Sequence, residues 1–255
     1  MVKHTDDWGW QEPVNLAHRD DYYLFAMLLD GEVGVMVDFN DLSLHSGEGI
    51  ILSPRQVHCP KLGDIIPTAW SLFVSSDNIS EATQERIEQY SLTTKPLQFS
   101  TECFRDLSSL FDILKRNIHD SEFARASVTA IINLFCRSIS DHVNDIADRY
   151  ISVILRFKRL VEILYIKEKH PAEYASRLNI SRVYLNEAVR TVTGMSISRY
   201  IRNHIIVNAK RLLAHTSSNV NEIALALGYD DPSYFQRIFR QETGMTPSEF
   251  RKSIV

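Results

Sequence analysis

The 255-residue sequence has few cysteines and no long apolar segment, and both shortages narrow its class. Cys59, Cys103 and Cys136 are widely spaced and form no Cys-x-x-Cys pair, which argues against a disulfide or zinc framework and favours reduced thiols. The longest apolar run, residues 22–29, has about eight residues, whereas a membrane span needs about 20. The N-terminal residues lack the apolar segment that forms the core of a signal peptide. We therefore expect a cytoplasmic protein that does not bind a membrane.

The net charge of −4 hides a split between the two parts of the chain. Residues 1–148 hold 11 Lys and Arg against 23 Asp and Glu, whereas residues 149–255 hold 17 against 9. A basic module of this kind suits a polyanionic partner, and the acidic module then has another task.

The C-terminal part contains one motif twice. "VTGMSISRY" at residues 192–200 returns as "ETGMTPSEF" at residues 242–250. Between residues 175 and 198 of the first copy, eight positions are identical in the second copy at offsets of 49 and 50 residues. The shared pairs are Ala175 and Ala224, Leu178 and Leu227, Tyr184 and Tyr234, Arg190 and Arg240, Thr193 and Thr243, Gly194 and Gly244, Met195 and Met245, and Ser198 and Ser248.

Each copy predicts two helices joined by a tight turn. The first, short helix ends at a residue that tolerates a left-handed backbone, Asn179 or Gly228. The second helix begins after an N-cap residue, Ser181 or Asp231, and runs to Gly194 or Gly244. This order of helix, turn and helix is the helix-turn-helix pattern.

The second helix of each copy is amphipathic, and its polar face indicates the function. The core-facing positions are Leu185, Ala188, Val189 and Val192 in one copy and Phe235, Ile238 and Phe239 in the other. Helices that read the DNA major groove present Arg, Asn and Gln to bases and basic or hydroxyl groups to phosphates. The predicted base-reading residues are Arg182, Val183, Asn186 and Glu187, with Pro232, Ser233, Gln236 and Arg237. The predicted phosphate contacts are Arg190, Arg202, Lys210 and Arg240.

A long helical pattern, residues 196–216, connects the two copies, with Tyr200, Ile201, Ile205, Ala209, Leu212 and Leu213 expected inward. Asn219 with Glu222, and Thr246 with Glu249, each predict the start of another helix.

These segments resemble the paired DNA-binding units of the AraC/XylS transcription regulators. The resemblance rests on "ISRVYLNEAVRTVTGMSISRYI" and on "GYDDPSYFQRIFRQETGMTPSEFR", and it covers about two fifths of the chain. It implies that the two reading helices enter successive major-groove segments on one face of double-stranded DNA, about 34 Å apart. Glu187 departs from this pattern, because it is an acid where the second copy has Arg237. It can accept from a cytosine amino group or simply avoid phosphates.

The N-terminal half predicts strands. Short segments rich in β-branched and aromatic residues lie between Tyr22 and Ser75, and Val33, Val35 and Val37 alternate as in a strand with one buried face. Such strands are typical of a small barrel or sandwich. The family resemblance implies a cupin-like domain that senses a small-molecule effector and forms a homodimer. Candidate effector-binding residues are Met36, His58, Trp70 and Phe73, although core packing explains each of them equally well.

Residues 102–118 and 122–142 read as two apolar-striped helices, which either cover the barrel or also form a dimer seam. We therefore expect an α+β multidomain protein. Residues 1–100 form the cupin-like sensor, residues 101–148 a helical pair, and residues 149–255 an all-α domain with two helix-turn-helix units joined by a long helix. The link "VNDIADRY" is expected to be short.

The sequence thus predicts a sequence-specific DNA-binding transcription regulator that contacts RNA polymerase if it is an activator. The first alternative is a metal-dependent cupin enzyme fused to a DNA-binding module. The sequence has no His-x-His pair, and His18, His45 and His58 are isolated along the chain, so we expect no metal, cofactor or catalytic residue. The second alternative is an interaction module whose helices recruit a protein without reading bases, which predicts weak DNA binding that depends on salt but not on sequence.

Overall fold

The computed structural model describes residues 1–5, 17–54, 56–61, 66–92, 95–139 and 148–253. The chain divides into two compact units. The first holds the described residues up to residue 139, except residues 17 and 18, which group with the second unit. The second unit otherwise holds the described residues from 148 onward.

The first unit contains two antiparallel sheets. The five-stranded sheet has the order β1, β7, β2, β5, β8, and the three-stranded sheet has the order β4, β3, β6. The strands are β1 (Val2–His4), β2 (Tyr22–Asp30), β3 (Glu32–Val37), β4 (Asn40–His45), β5 (Glu48–Leu52), β6 (His58–Lys61), β7 (Thr68–Ser75) and β8 (Leu97–Gln98). The strands expected between Tyr22 and Ser75 are therefore present. The sheets stay separate over the described residues, so the expected closed cupin-like barrel is not confirmed.

Alternation along the strands gives the five-stranded sheet two apolar faces. In β2, Leu24, Ala26 and Leu28 face the three-stranded sheet. Tyr23, Phe25 and Met27 point the other way, into a core made with helices. These helices are α1 (Glu81–Tyr90), α2 (Thr101–Arg116) and α3 (Ser121–Arg137).

The predicted helical pair corresponds to α2 and α3, and it covers the sheet. Leu107, Phe111 and Leu114 of α2 are completely buried, as are Ile131 and Phe135 of α3. The rings of Phe25 and Phe135 meet edge to face with their centroids 5.5 Å apart. Burial of these stripes supplies the apolar contact that the sheet needs on this side. The predicted link after α3 falls mostly outside the described residues.

From residue 148 to residue 253 the second unit contains helices and turns, without strands. On either side of the turns at Asn179 and Gly228, the helices follow one another in the order that the sequence predicts. The helices are α4 (Asp148–Leu164), α5 (Pro171–Arg177), α6 (Arg182–Thr193), α7 (Ile197–His215), α8 (Val220–Ala226), α9 (Pro232–Thr243) and α10 (Pro247–Ser253). No described helix is long and apolar enough to cross a membrane.

Candidate DNA-binding surface

The first helix-turn-helix unit consists of α5, a tight turn and α6. Asn179 in the turn has the expected left-handed conformation, with φ of 56°. The Ser181 hydroxyl accepts the backbone N–H of Tyr184 at 3.1 Å and so caps α6. Leu185, Ala188 and Val189 are completely buried, which fixes the opposite side of α6 outward.

The second unit repeats this geometry with α8 and α9. Gly228 takes the left-handed turn position with φ of 72°. The Asp231 carboxylate accepts the Ser233 N–H at 2.8 Å, and Pro232 begins the helix. Asn219 and Glu222 form the predicted capping box at the start of α8. The N-caps and the left-handed turn residues of both units are thus confirmed.

The repeated threonines have a common structural role. The Thr193 hydroxyl donates to Val189 O at 2.7 Å and accepts the Met195 N–H at 3.2 Å. Thr243 makes the equivalent bonds to Phe239 O at 2.8 Å and from Met245 at 3.4 Å. Gly194 and Gly244 follow these threonines with φ of 70° and 79°. The repeated "TGM" sequence therefore ends both outward helices in the same way.

Helix α7 connects the two units. Tyr200, Ile201, Ile205, Ala209 and Leu213 are buried as expected, whereas the inward prediction for Leu212 is only partly met because it stays half-buried.

Two polar contacts hold the second helix-turn-helix unit in place. Arg202 Nη1 of α7 lies 2.9 Å from Glu242 Oε1 of α9. Lys169 Nζ, beyond the end of α4, donates to the carbonyls of Ile166 and Gly228, each at 2.7 Å. The turn of the second unit is thus tied to the segment that precedes the first unit.

The outward face of α6 is only partly free. Arg182, Val183, Glu187 and Arg190 are exposed, and Val183 reaches 77% exposure. Asn186 is half-buried, and its Oδ1 accepts the Ile197 N–H at 3.3 Å, so this oxygen helps to begin α7. Glu187 Oε1 accepts the Tyr150 hydroxyl at 2.5 Å. Two of the four predicted base readers in the first unit therefore already have partners within the protein.

The outward face of α9 is more open. Ser233, Arg237 and Arg240 are exposed, while Pro232 and Gln236 are half-buried. The Arg237 guanidinium lies 5.1 Å from the centre of the Tyr234 ring, and Tyr234 is 46% exposed. Stacking of this kind limits the orientations of the arginine. The sequence analysis missed Tyr234 as part of this face, although its identity with Tyr184 was a signal for it.

The predicted phosphate contacts differ in availability. Arg190 and Arg240 are exposed near the ends of α6 and α9. Arg202 is paired with Glu242, with 39% of its side chain exposed. Lys210 is half-buried, and its Nζ lies 5.5 Å from the centre of the Phe250 ring. Arg202 and Lys210 thus make structural contacts inside the helical unit.

The four effector candidates are not brought to one place. Trp70 faces the helices and stacks on Phe111 at 5.4 Å. Phe73 lies three positions further along β7, so it points to the opposite face of the sheet. Met36 belongs to the other sheet, where its sulfur accepts the Phe39 N–H at 3.2 Å. The four side chains therefore do not line a common cavity.

The fourth candidate, His58, is isolated along the chain but not in space. Its Nε2 lies 3.3 Å from Asp20 Oδ2, and its Nδ1 lies 3.1 Å from the Gln56 carbonyl oxygen. A small pocket of the same unit has room for about one water molecule. It is lined by other residues, including Val37, Leu42, Ile50, Gln56 and Tyr90.

Two capped helices that point outward from a shared connecting helix define a tandem helix-turn-helix protein. A family model described as a helix-turn-helix domain matches residues 174–253. The transcriptional activator RhaR of Enterobacter sp. (strain 638) is 42% identical over 67 residues. RhaR of Salmonella heidelberg (strain SL476) is 43% identical over the same length. These matches support the resemblance of the C-terminal helices to the AraC/XylS regulators.

The sequence matches leave most of both proteins uncovered. Each RhaR match covers 26% of this chain and 24% of the relative. The chain is also similar to a structure of Vibrio cholerae ToxT with a bound unsaturated fatty acid, and the matched region covers 92% of this chain and 88% of the ToxT chain. Its TM-score is 0.51 at 15% sequence identity, so this likeness concerns the fold alone.

Proposed function

We propose that this protein is a sequence-specific DNA-binding transcription regulator of the AraC type. The observation that carries the proposal is the duplicated unit, in which α6 and α9 both begin at a side-chain N-cap, end at a left-handed glycine and present outward polar faces. Double-stranded DNA presents phosphates and base edges in successive segments of its major groove, where two such helices can bind. The RhaR relatives, which match 67 residues of this chain, are transcriptional activators by name.

In this proposal the second helix-turn-helix unit makes the main base contacts. Ser233, Gln236 and Arg237 lie on the open face of α9, with Pro232 at its start. In the first unit, Arg182 and Val183 are the accessible readers, because Asn186 and Glu187 have protein partners. Arg190 and Arg240 contact phosphates. We assign Arg202 and Lys210 to bracing rather than to phosphate binding, because of Glu242 and Phe250.

The two-sheet unit is proposed to sense a small-molecule effector and to form a homodimer through α2 and α3. ToxT, which shares the overall fold, has been observed with a bound fatty acid. We further propose that the protein acts in the cytoplasm, without enzymatic activity, and that it contacts RNA polymerase if it activates transcription.

The test is selection of fragmented genomic DNA by the purified full-length protein. Retained fragments should carry two short blocks about one helical turn, or 34 Å, apart. The Arg237→Ala variant should lose about 1–3 kcal/mol of affinity for these sites and relax specificity within one block. Arg86→Ala, which removes an exposed arginine from α1, is the charge-matched control and should bind as the unchanged protein does.

Retention that depends on salt but not on sequence would contradict the proposal, because it is the signature of binding to phosphates alone. Unchanged affinity of the Arg237→Ala variant for the selected sites would remove Arg237 from the reading face.

A further inference from the structure

The first turn of α4 contacts the outward face of α6 through Glu187. The Tyr150 hydroxyl donates to Glu187 Oε1 at 2.5 Å, and Arg149 Nη2 donates to that hydroxyl at 2.8 Å. Arg149 Nη2 also lies 3.9 Å from Glu187 Oε1. Glu187 therefore holds two side chains of α4 beside the helix that carries it.

Aromatic contacts fix the orientation of this group. The Arg149 guanidinium carbon lies 4.7 Å from the centre of the Tyr150 ring. The Tyr150 and Tyr184 rings are 5.9 Å apart, and the Tyr184 hydroxyl donates to the Arg149 carbonyl at 3.4 Å. A stacked guanidinium has fewer orientations to lose when it binds a further partner.

These contacts reduce the capacity of Glu187 to read a base. Its hydrogen bond to Tyr150 raises the pKa of the Tyr150 phenol, so the hydroxyl stays a donor at neutral pH. The carboxylate oxygen that accepts this bond is then less available to a cytosine amino group. The nearby guanidinium also offsets the repulsion between Glu187 and DNA phosphates.

We propose that Arg149 is a further DNA-contacting residue, which binds a backbone phosphate beside the first reading helix. Glu187 and Tyr150 are positioning residues that present it. The proposal rests on the proposed function, since it assigns a contact to the same surface. Two observations support it: 66% of the Arg149 side chain is exposed, and its planar guanidinium, which has given one donor to Tyr150, suits the geometry of phosphate.

The assignment explains how a first unit with few open base readers can still contribute to binding. Asn186 and Glu187 are engaged in the protein, so α6 offers mainly Arg182 and Val183 to bases. A phosphate contact from α4 fixes the register of the unit on DNA without reading sequence. Specificity then comes mainly from α9 and affinity from both units.

The test compares full-length variants on a selected site and on unrelated DNA between 50 and 200 mM salt. Arg149→Ala should weaken binding to both DNAs by the same factor and lower the salt slope by about 0.9, the value for one phosphate. As the salt rises from 50 to 200 mM, the affinity advantage of the unchanged protein over the variant should therefore shrink by a factor of about 3.5. Arg156→Ala removes an exposed arginine two turns along α4, and it should leave the slope unchanged.

Two further variants separate positioning from base reading. Tyr150→Phe keeps the ring but removes the hydroxyl between Arg149 and Glu187, and it should lower the salt slope by less than Arg149→Ala does. Glu187→Gln keeps an acceptor for Tyr150, and it should change affinity for all sequences alike. An altered base preference in the Glu187→Gln variant would show that Glu187 reads a base, and it would overturn the positioning role.

A salt slope that is the same for Arg149→Ala and for the unchanged protein overturns the inference while leaving the proposed function intact, provided that the unchanged protein still prefers its selected site. If the unchanged protein shows no preference for any sequence, the proposed function fails, and the inference fails with it.

Discussion

At one of the two left-handed turn positions, a close neighbouring backbone restricts the residue to glycine. Asn179 and Gly228 occupy equivalent turns, yet only the second is glycine. A Cβ on Gly228 would lie 1.9 Å from the Ile166 carbonyl oxygen and 2.8 Å from Lys169 Nζ. Asn satisfies a left-handed φ, but this close approach of two backbones requires the absence of a side chain.

Gly228→Ala should therefore destabilise the helical unit more than the backbone conformation alone explains. Gly244→Ala is the matched control, because Gly244 is also left-handed and a Cβ there would meet nothing within 4 Å. We expect about 1–2 kcal/mol of destabilisation for Gly244→Ala. Gly228→Ala should lose about 1–3 kcal/mol more, as overpacking does. Urea unfolding followed by helical circular dichroism measures both, and equal losses would contradict the close approach.

The same residues mark how far sequence alone could go. It correctly predicted that Gly228 and Asn179 take left-handed conformations, because that preference is local. It could not predict the approach of Ile166, which depends on the position of α4. For Glu187 it left two possibilities open, and neither included Tyr150, because their contact depends on how α4 lies across α6.

At the scale of elements, helix ends were predictable and sheet closure was not. Caps such as Ser181, Asp231 and Asn219 act within three residues of the helix that they begin, so the sequence contains the whole signal. Strand pairing joins distant residues, and the two separate sheets differ from the expected barrel for this reason. The pairing of β1 with β7 is one example, since Val2 lies opposite Leu72.

The start of α10 gives a prediction that depends on pH. Glu249 Oε2 accepts the backbone N–H of Thr246 at 2.7 Å and its hydroxyl at 2.8 Å. These bonds lower the pKa of Glu249 below its ordinary value of 4.5. Because the folded-state pKa is depressed, the cap stabilises α10 fully above that ordinary value and is lost as the pH falls through the lowered pKa.

The amide proton of Thr246 reports this titration directly by NMR. Its chemical shift should move with a midpoint below 4.5, and Glu249→Gln should abolish the movement while keeping an acceptor at the helix start. A midpoint at or above 4.5 would show that the cap does not favour the charged carboxylate.

At the scale of the whole molecule, each of the two units has its own hydrophobic core. Phe25, Phe111 and Phe135 are buried in the first unit, and Phe157 and Phe235 in the second. The charge split falls at the same division, with the acidic balance in the two-sheet part and the basic balance in the helical part. A unit with its own core can gain stability from a ligand without help from its neighbour.

Binding of a selected DNA site should therefore stabilise the helical unit selectively. At a free DNA concentration of 100 times Kd, the gain is about 2.7 kcal/mol. The slowest amides of α6, α7 and α9, which exchange only when the unit unfolds, should then exchange about 100-fold more slowly, whereas those of β2 and β7 should not change. Native-state hydrogen exchange with and without DNA measures both groups in one sample. DNA of unrelated sequence at the same concentration is the control. Equal slowing in the strands would mean that the two units open together, and the basic unit could then not be treated as a separate DNA-binding domain.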